Sequence, residues 1–331
     1  MRTTRSDPDE PGIRRVRRGR GFSYHDADGE LISDEAEVER IRALAIPPAW
    51  EDVWICAEER GHIQAVGTDA AGRRQYLYHP AWRERRDREK FERLLEFGAA
   101  MPAVRKRLAA GLGLDGLVRD RVLSCAVRLL DIGLFRVGGD SYAEENESFG
   151  LTTLRKEHVR IRRGAIHFDF IAKGGLQRTQ QVEDELVTPT VAALRRRRAR
   201  ADARLLAYRA RRAEWHDLRA DELNEHLKGL VGDEFSAKDF RTWNATVLAA
   251  VNLATRAGDE DGERAVGAAI EDVAEVLGNT PAVCRASYVD PRVIERYADG
   301  KTIARTLKRL NGAPGFARRE RIEAAVLRLL S

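Results

Sequence analysis

The run Val159-Arg160-Ile161-Arg162-Arg163-Gly164-Ala165-Ile166-His167-Phe168-Asp169-Phe170-Ile171-Ala172-Lys173-Gly174-Gly175-Leu176-Gln177-Arg178-Thr179-Gln180-Gln181-Val182 decides the architecture, because it is an extended segment embedded in a helical region. Val159 to Ile161 and Ile166 to Ile171 are rich in β-branched and aromatic residues, and Arg163-Gly164 between them is turn chemistry. Lys173-Gly174-Gly175 makes a second turn and Gln177 to Val182 a returning strand, which places Lys173 at an exposed tip. Around this segment the pattern is helical. Phe91, Leu94, Leu95 and Phe97 recur at helical spacing, as do Val122, Cys125, Val127 and Leu130.

Upstream the texture differs. Phe22-Ser23-Tyr24, Val53 to Cys56, Gly61 to Thr68 and Arg74 to Tyr78 read as strands, with turns at Asp28-Gly29 and Ala70-Ala71-Gly72. A helix is expected near Asp34 to Ala45, stopped by Pro47-Pro48. The class is therefore α+β: a small antiparallel sheet module, then a larger, mainly helical domain carrying a β-hairpin segment. Residues 1–20 read as a basic flexible tail, 21–85 as the β-rich module and 86–331 as the helical domain, with charge-dense Trp82 to Lys90 as the boundary or linker.

The chain has 331 residues, of which 43% are hydrophobic, enough to bury a core in two domains or one large one. Its net charge of +5 is a small difference within 34% charged residues, so local clustering says more. Arg2, Arg5, Arg14, Arg15, Arg17, Arg18 and Arg20 form one basic cluster. Arg195 to Arg212 form another, read as a solvated basic helix; both favour an anionic, phosphate-bearing partner. Cys56, Cys125 and Cys284 are too scattered for a disulfide framework or a zinc knuckle. No apolar run approaches the roughly 18 residues needed to span a membrane, and the polar start lacks a signal-peptide core, so a cytoplasmic, nucleoid-associated protein is expected. Asp26-Ala27-Asp28-Gly29 and Asp259-Glu260-Asp261-Gly262 lack calcium-loop spacing, and no metal ligands stand out.

Four further runs carry chemistry: Phe135-Arg136-Val137-Gly138, Phe170-Ile171-Ala172-Lys173-Gly174, Lys238-Asp239-Phe240-Arg241-Thr242-Trp243, and Gly278-Asn279 followed nine residues later by Tyr288. Arginine offers phosphate a planar fork that never loses its charge, and lysine can give a proton to a departing alkoxide. A phenol can form a covalent intermediate. Together these side chains supply what cutting a phosphodiester onto tyrosine requires.

In order and spacing these runs resemble the type IB DNA topoisomerases, specifically the compact poxvirus and bacterial branch, over about residues 22 to 295. The resemblance implies that Arg136, Lys173, Arg241, Asn279 and Tyr288 are catalytic and that Gln75, Tyr76, Tyr78, Tyr142 and Lys238 touch DNA. It implies a monomer that clamps double-stranded DNA and relaxes supercoils through a 3′-phosphotyrosyl intermediate, without ATP, metal or other cofactor. Poxvirus enzymes carry lysines in the loop where this chain has Gly139 and Ser141, so weak or different cleavage-site selectivity is expected.

Each residue also has a plainer reading. Lys173 alone is a solvated hairpin lysine; Arg241 could pair with Asp239 or Glu234; Asn279 beside Gly278 could cap a helix ending at Val276-Leu277. Tyr288 could be a packed aromatic, and Arg136 could anchor the end of the apolar helix before it. On a strand Tyr76 and Tyr78 share one face and Gln75 and Leu77 the other, leaving both groove contact and a core role open. A tyrosine recombinase shares the covalent chemistry, but usually has His-x-x-Arg where this chain has Lys238-Asp239-Phe240-Arg241. A catalytically silent DNA-binding protein of the same fold is the remaining alternative.

Overall fold

The computed structural model describes residues 2–140, 143, 147–210, 214–258, 261–310 and 315–331, with only the backbone considered at Phe316. It divides into two compact units, residues 1–92 and 93–331.

Unit 1 is a five-stranded sheet built from β1 (Ile13–Arg18), β2 (Gly21–His25), β3 (Glu51–Ile55), β4 (Ile63–Thr68) and β5 (Arg74–Tyr78), with helix α1 (Glu35–Ala43) between β2 and β3. The strand order is β2-β1-β3-β4-β5, and every neighbouring pair is antiparallel. Asp34 caps α1 by accepting from Ala36 N, as an aspartate before an amphipathic run should. Ile13, Ile41, Val53, Ile55 and Ala65 make the core beneath the sheet, with Tyr24 and Leu77 packed against it.

The expected flexible tail over residues 1–20 is corrected by β1, which lies between β2 and β3. Its arginines hid it. Arg15 is turned toward the α1–β3 connection, where its guanidinium donates to the carbonyls of Ile46, Pro47 and Trp50 and stacks 4.2 Å over Phe22. Upstream of β1, Thr4 bridges to Gly61 and the Ser6 hydroxyl donates to Ile63 O.

Helix α2 spans Pro80–Leu112, so the stretch Trp82 to Lys90 is helical, and the division between the two units falls two residues beyond it. Its charge density reflects a solvated face with pairs one turn apart, such as Arg85 with Glu89 and Arg88 with Glu84.

Unit 2 continues with α3 (Arg119–Gly133), then β6 (Val159–Arg162), β7 (Ala165–Ala172) and β8 (Leu176–Val182), a three-stranded antiparallel sheet in chain order. Helix α4 (Thr188–Arg196) and a short ribbon of β9 (Ala207–Arg209) and β10 (Trp215–Asp217) follow. The stretch from Arg195 is therefore not one basic helix: α4 stops at Arg196, and Leu205 and Leu206 are buried. Then come α5 (Ala220–Val231), α6 (Ala237–Thr255), α7 (Gly262–Leu277), α8 (Pro281–Ser287), α9 (Pro291–Ala298), α10 (Ala304–Arg309) and α11 (Gly315–Leu330). The α+β class read from the sequence holds, with a second small ribbon that the sequence did not announce. Phe97 packs edge-on to Phe240 at 4.9 Å, and Trp243 lies so close to Gly98 that a Cβ there would meet its ring at 2.6 Å.

A buried ion network ties α2, α3 and α11 together. Arg105 forks onto Asp131 at 2.9 and 3.0 Å and onto Glu323 at 2.5 and 2.7 Å. Arg128 bridges Asp131 and Asp184, and Arg319 reaches both Asp131 and Glu323. Burial pushes the Asp131 pKa up, but Arg319, Arg105 and Arg128 outweigh it and hold the carboxyl below its ordinary value. A carboxyl depressed in the folded state stabilises above its unfolded pKa of about 3.9, and that contribution is lost as pH falls through the folded value. Asp131→Asn should cost about 3 to 5 kcal/mol by leaving buried guanidiniums unpaired. Thermal unfolding followed from pH 7 to pH 2 should show this large loss at neutral pH and a shallower further decline in acid than the parent protein shows.

Candidate active site

Helix α7 ends at Leu277 with Gly278 in the left-handed region at φ 62°, and Thr280 caps α8 by accepting from Val283 N. A helix end leaves its last carbonyls without partners and carries partial negative charge. Here three consecutive carbonyls each accept from a different arginine. Val276 O takes Arg178 Nη2 at 2.9 Å, Leu277 O takes Arg241 Nη2 at 2.9 Å, and Gly278 O takes Arg136 Nη2 at 3.3 Å. Arg136 also makes a short hydrogen bond to Asn279 Oδ1, and Arg241 Nη1 donates to Leu134 O.

These contacts decide among the plainer readings. Arg241 is 3% exposed on α6 and bonds neither Asp239 nor Glu234; Asp239 instead completes the Ser236 capping box. Arg136 reaches the end of α7, not that of the helix preceding it. Asn279 does take part in the helix terminus, through its backbone N–H to Ala274 O, while its side chain serves Arg136. Tyr288, half-buried at the end of α8, places its ring 5.4 Å from the Arg241 guanidinium carbon.

Lys173 sits exposed on the β7–β8 turn, where Gly174 and Gly175 take φ of 87° and 73°. It lines a cleft of 540 Å³ together with Arg136, Arg178, Leu176 and Gly278. The structure thus brings Arg136, Arg241, Asn279 and Tyr288 together around the α7–α8 turn, with Lys173 on the wall of the adjoining cleft.

The electrostatics are those of a cationic cluster. Among the described residues, Arg136, Arg178 and Arg241 have no carboxylate within ion-pair distance. Burial, then the neighbouring Arg136, lowers the Arg241 pKa, with Tyr288 acting against the fall. Burial and Arg136 likewise lower that of Arg178. Arg241 Nε and Asn279 Nδ2 are both buried donors without a hydrogen-bond partner among the described residues. The Cys284 thiol, pushed up by burial and pulled back by Arg241, feels the Asn279 amide without meeting hydrogen-bond geometry. Buried donors without acceptors are costly. No group of three or more His, Cys, Asp or Glu among the described residues is placed to hold a metal ion.

Two contributors escaped the sequence reading. Arg178 lies on β8, whose Gln177-Arg178-Thr179-Gln180 run has no apolar alternation. Only its pairing opposite buried Phe170 reveals an inward face. Gly150 supports the Arg136 loop: Leu151 N donates to Arg136 O at 2.8 Å and Thr152 N to Val137 O at 2.8 Å.

In unit 1, pairing aligns Arg14, Trp54, Val66 and Tyr76 in one row across the sheet. Tyr76 stacks on Tyr78 at 6.1 Å and Tyr78 on Trp82 at 4.5 Å, with Arg74 and Arg86 over the two ends of the column. Gln75 points to the other face and donates to Asp69 Oδ2. Lys238 is exposed on the first turn of α6. Tyr142 lies outside the described residues.

A Cβ on Gly150 would lie 2.5 Å from the Gly138 backbone, which cannot yield as a side chain would. Gly150→Ala should therefore displace the Arg136 loop and cost about 1 to 3 kcal/mol of stability, read from denaturant unfolding.

Residues 79–311 match the family model of the eukaryotic DNA topoisomerase I catalytic core, and residues 21–69 match the bacterial DNA topoisomerase IB N-terminal domain. The chain is 30% identical to a DNA topoisomerase 1B of Acanthamoeba polyphaga mimivirus over 86% of its length and 87% of the relative's. It is 20% identical to the DNA topoisomerase 1B of Vaccinia virus over 85% of this chain and 88% of that one, and 27% identical to DNA topoisomerase 1 of Schizosaccharomyces pombe over 50% of this chain and 19% of that one. With two matched models in series, an N-terminal sheet unit of the bacterial kind and a helical unit gathering arginines around a tyrosine, this chain belongs to the type IB DNA topoisomerases.

Proposed function

We propose that Tyr288 is the nucleophile of this topoisomerase, and that Arg136, Arg241 and Asn279 hold the scissile phosphate while Lys173 protonates the leaving strand. The observation that supports this most is the cluster of guanidiniums on the α7 end, unneutralised by any described carboxylate, beside two unpartnered buried donors and a phenol. Attack of the Tyr288 oxygen on phosphorus forms one P–O bond as the bond to the 5′ oxygen breaks. One proton leaves the phenol and one arrives on the departing oxygen, so the step is proton-neutral and reversible. The bond energy is stored in the 3′-phosphotyrosine, and torsion in the duplex drives rotation before the free 5′ hydroxyl attacks back. Resealing then needs no ATP.

Arg136 and Arg241 suit the transition state because their remaining N–H groups face charge that grows on the non-bridging oxygens. The Arg74–Tyr76–Tyr78–Trp82–Arg86 column is assigned to the duplex as well, cations meeting phosphates and aromatic edges meeting sugars. Both units then act on the same double-stranded DNA in a monomer, with the nucleoid as its place of work.

Tyr288→Phe should abolish both covalent adduct and plasmid relaxation while leaving non-covalent DNA binding nearly intact; relaxation at the parent rate would refute the nucleophile. Arg241→Ala should slow single-turnover cleavage by about 10² to 10³, the usual cost of one oxyanion donor. Tyr76→Ala should weaken duplex binding with little change in the cleavage rate of saturated complex. A cleavage-rate loss matching that of Arg241→Ala would move Tyr76 out of the binding role.

A further inference from the structure

We infer that Arg178, with Gln180, is a positioning residue that fixes the Lys173 hairpin against the ends of α3 and α7. The inference rests on the assignment of Lys173 as general acid, and adds to it the means by which a lysine on a glycine-rich turn is held in register with the phosphate.

The need for such a device follows from the turn itself. Gly174 and Gly175 both adopt positive φ and have no side chain to pack, so the tip has little stiffness of its own. Phe168 and Phe170 pack on Phe135 and so hold the inward face of β7. Phe149 N, donating to Ile171 O at 2.7 Å, holds its edge. Neither contact reaches the α7–α8 turn, where Asn279 and the bound carbonyls lie.

Arg178 makes that connection. On β8 it pairs opposite Phe170, and Gln180 pairs opposite Phe168, so both polar side chains project from the same inward face as the two phenylalanines. Arg178 Nη2 donates to Val276 O at 2.9 Å, its Nε donates to Gln180 Oε1 at 2.8 Å, and Gln180 Nε2 donates to Gly133 O at 2.8 Å. One chain of three hydrogen bonds thus joins the last turn of α7, the general-acid hairpin and the last residue of α3, three positions before Arg136. Glycine at 278 leaves room for it, since a Cβ there would sit 2.7 Å from Arg178 Nη1.

A residue that acts by aiming the acid should matter only when the acid matters. Replacing the 5′ bridging oxygen by sulfur gives a leaving group that departs as thiolate without a proton. Single-turnover cleavage of the ordinary and the 5′-thio substrate is therefore measured at saturating protein for the parent, Lys173→Ala, Arg178→Ala, Arg178→Lys and Gln180→Ala. Arg178→Ala should slow the ordinary substrate by about 10²-fold, the scale of a displaced catalytic group, and the thio substrate by no more than about threefold. Gln180→Ala should show the same pattern at about tenfold, and serves if Arg178→Ala does not fold. Arg178→Lys keeps the charge but not the bridge, and should stay slow on the ordinary substrate. Equal slowing on both substrates, no slowing on either, or full recovery in Arg178→Lys would each overturn the inference. Lys173→Ala separates the two levels: if it is not rescued by sulfur the acid assignment fails, whereas if it is rescued and Arg178→Ala is not, only the positioning role fails.

Discussion

Three guanidiniums share the end of one helix, and the rest of unit 2 is arranged to make that possible. The last carbonyls of α7 have no partners within the helix, and Arg178, Arg241 and Arg136 take those of Val276, Leu277 and Gly278 in turn. A helix end attracts cations with a fraction of a charge and does not neutralise them. A carboxylate in the same place would satisfy the arginines and extinguish the site. The network around Asp131 shows the contrast within one molecule: there Arg105, Arg128 and Arg319 meet acidic partners directly, and the result is structural.

This constraint explains why chemistry-bearing residues so far apart in sequence come from these elements. Arg136 arrives on the loop that follows α3, which the turn at Gly150 to Thr152 clamps by its backbone. Arg241 comes from the buried face of α6, and Asn279 and Tyr288 flank the short helix α8. Lys173 alone comes from a β-turn, the exposed tip between β7 and β8. Burial, with the like charge of Arg136 added to it, lowers the pKa values of Arg241 and Arg178.

Much of this was legible before any coordinates. The bounds of β5, the helix near Asp34 to Ala45, the β6–β8 segment with its two turns and the break between α7 and α8 all follow from local turn and helix-end chemistry that tertiary structure left unaltered. What stayed hidden was hidden for physical reasons. Strand β1 reads IRRVRR, and its inward Arg15 is satisfied by three carbonyls that are distant in sequence. The charge run of α2 is compatible with a linker and with a solvated helix alike, and pattern alone does not separate them. Arg178 and Gln180 sit in a strand without apolar alternation, so their inward face appears only through pairing with Phe170 and Phe168. Gly150 carries no signature beyond being glycine; its role is the close passage of another backbone.

The most direct measurement of the central claim is to trap the covalent complex on a labelled nicked duplex in the presence of a chelator, digest it, and identify both the attached peptide and the attached strand end. The account predicts a peptide containing Tyr288, joined to a 3′ phosphate. Attachment through another side chain, linkage to a 5′ phosphate, or loss of the adduct under chelation would contradict it.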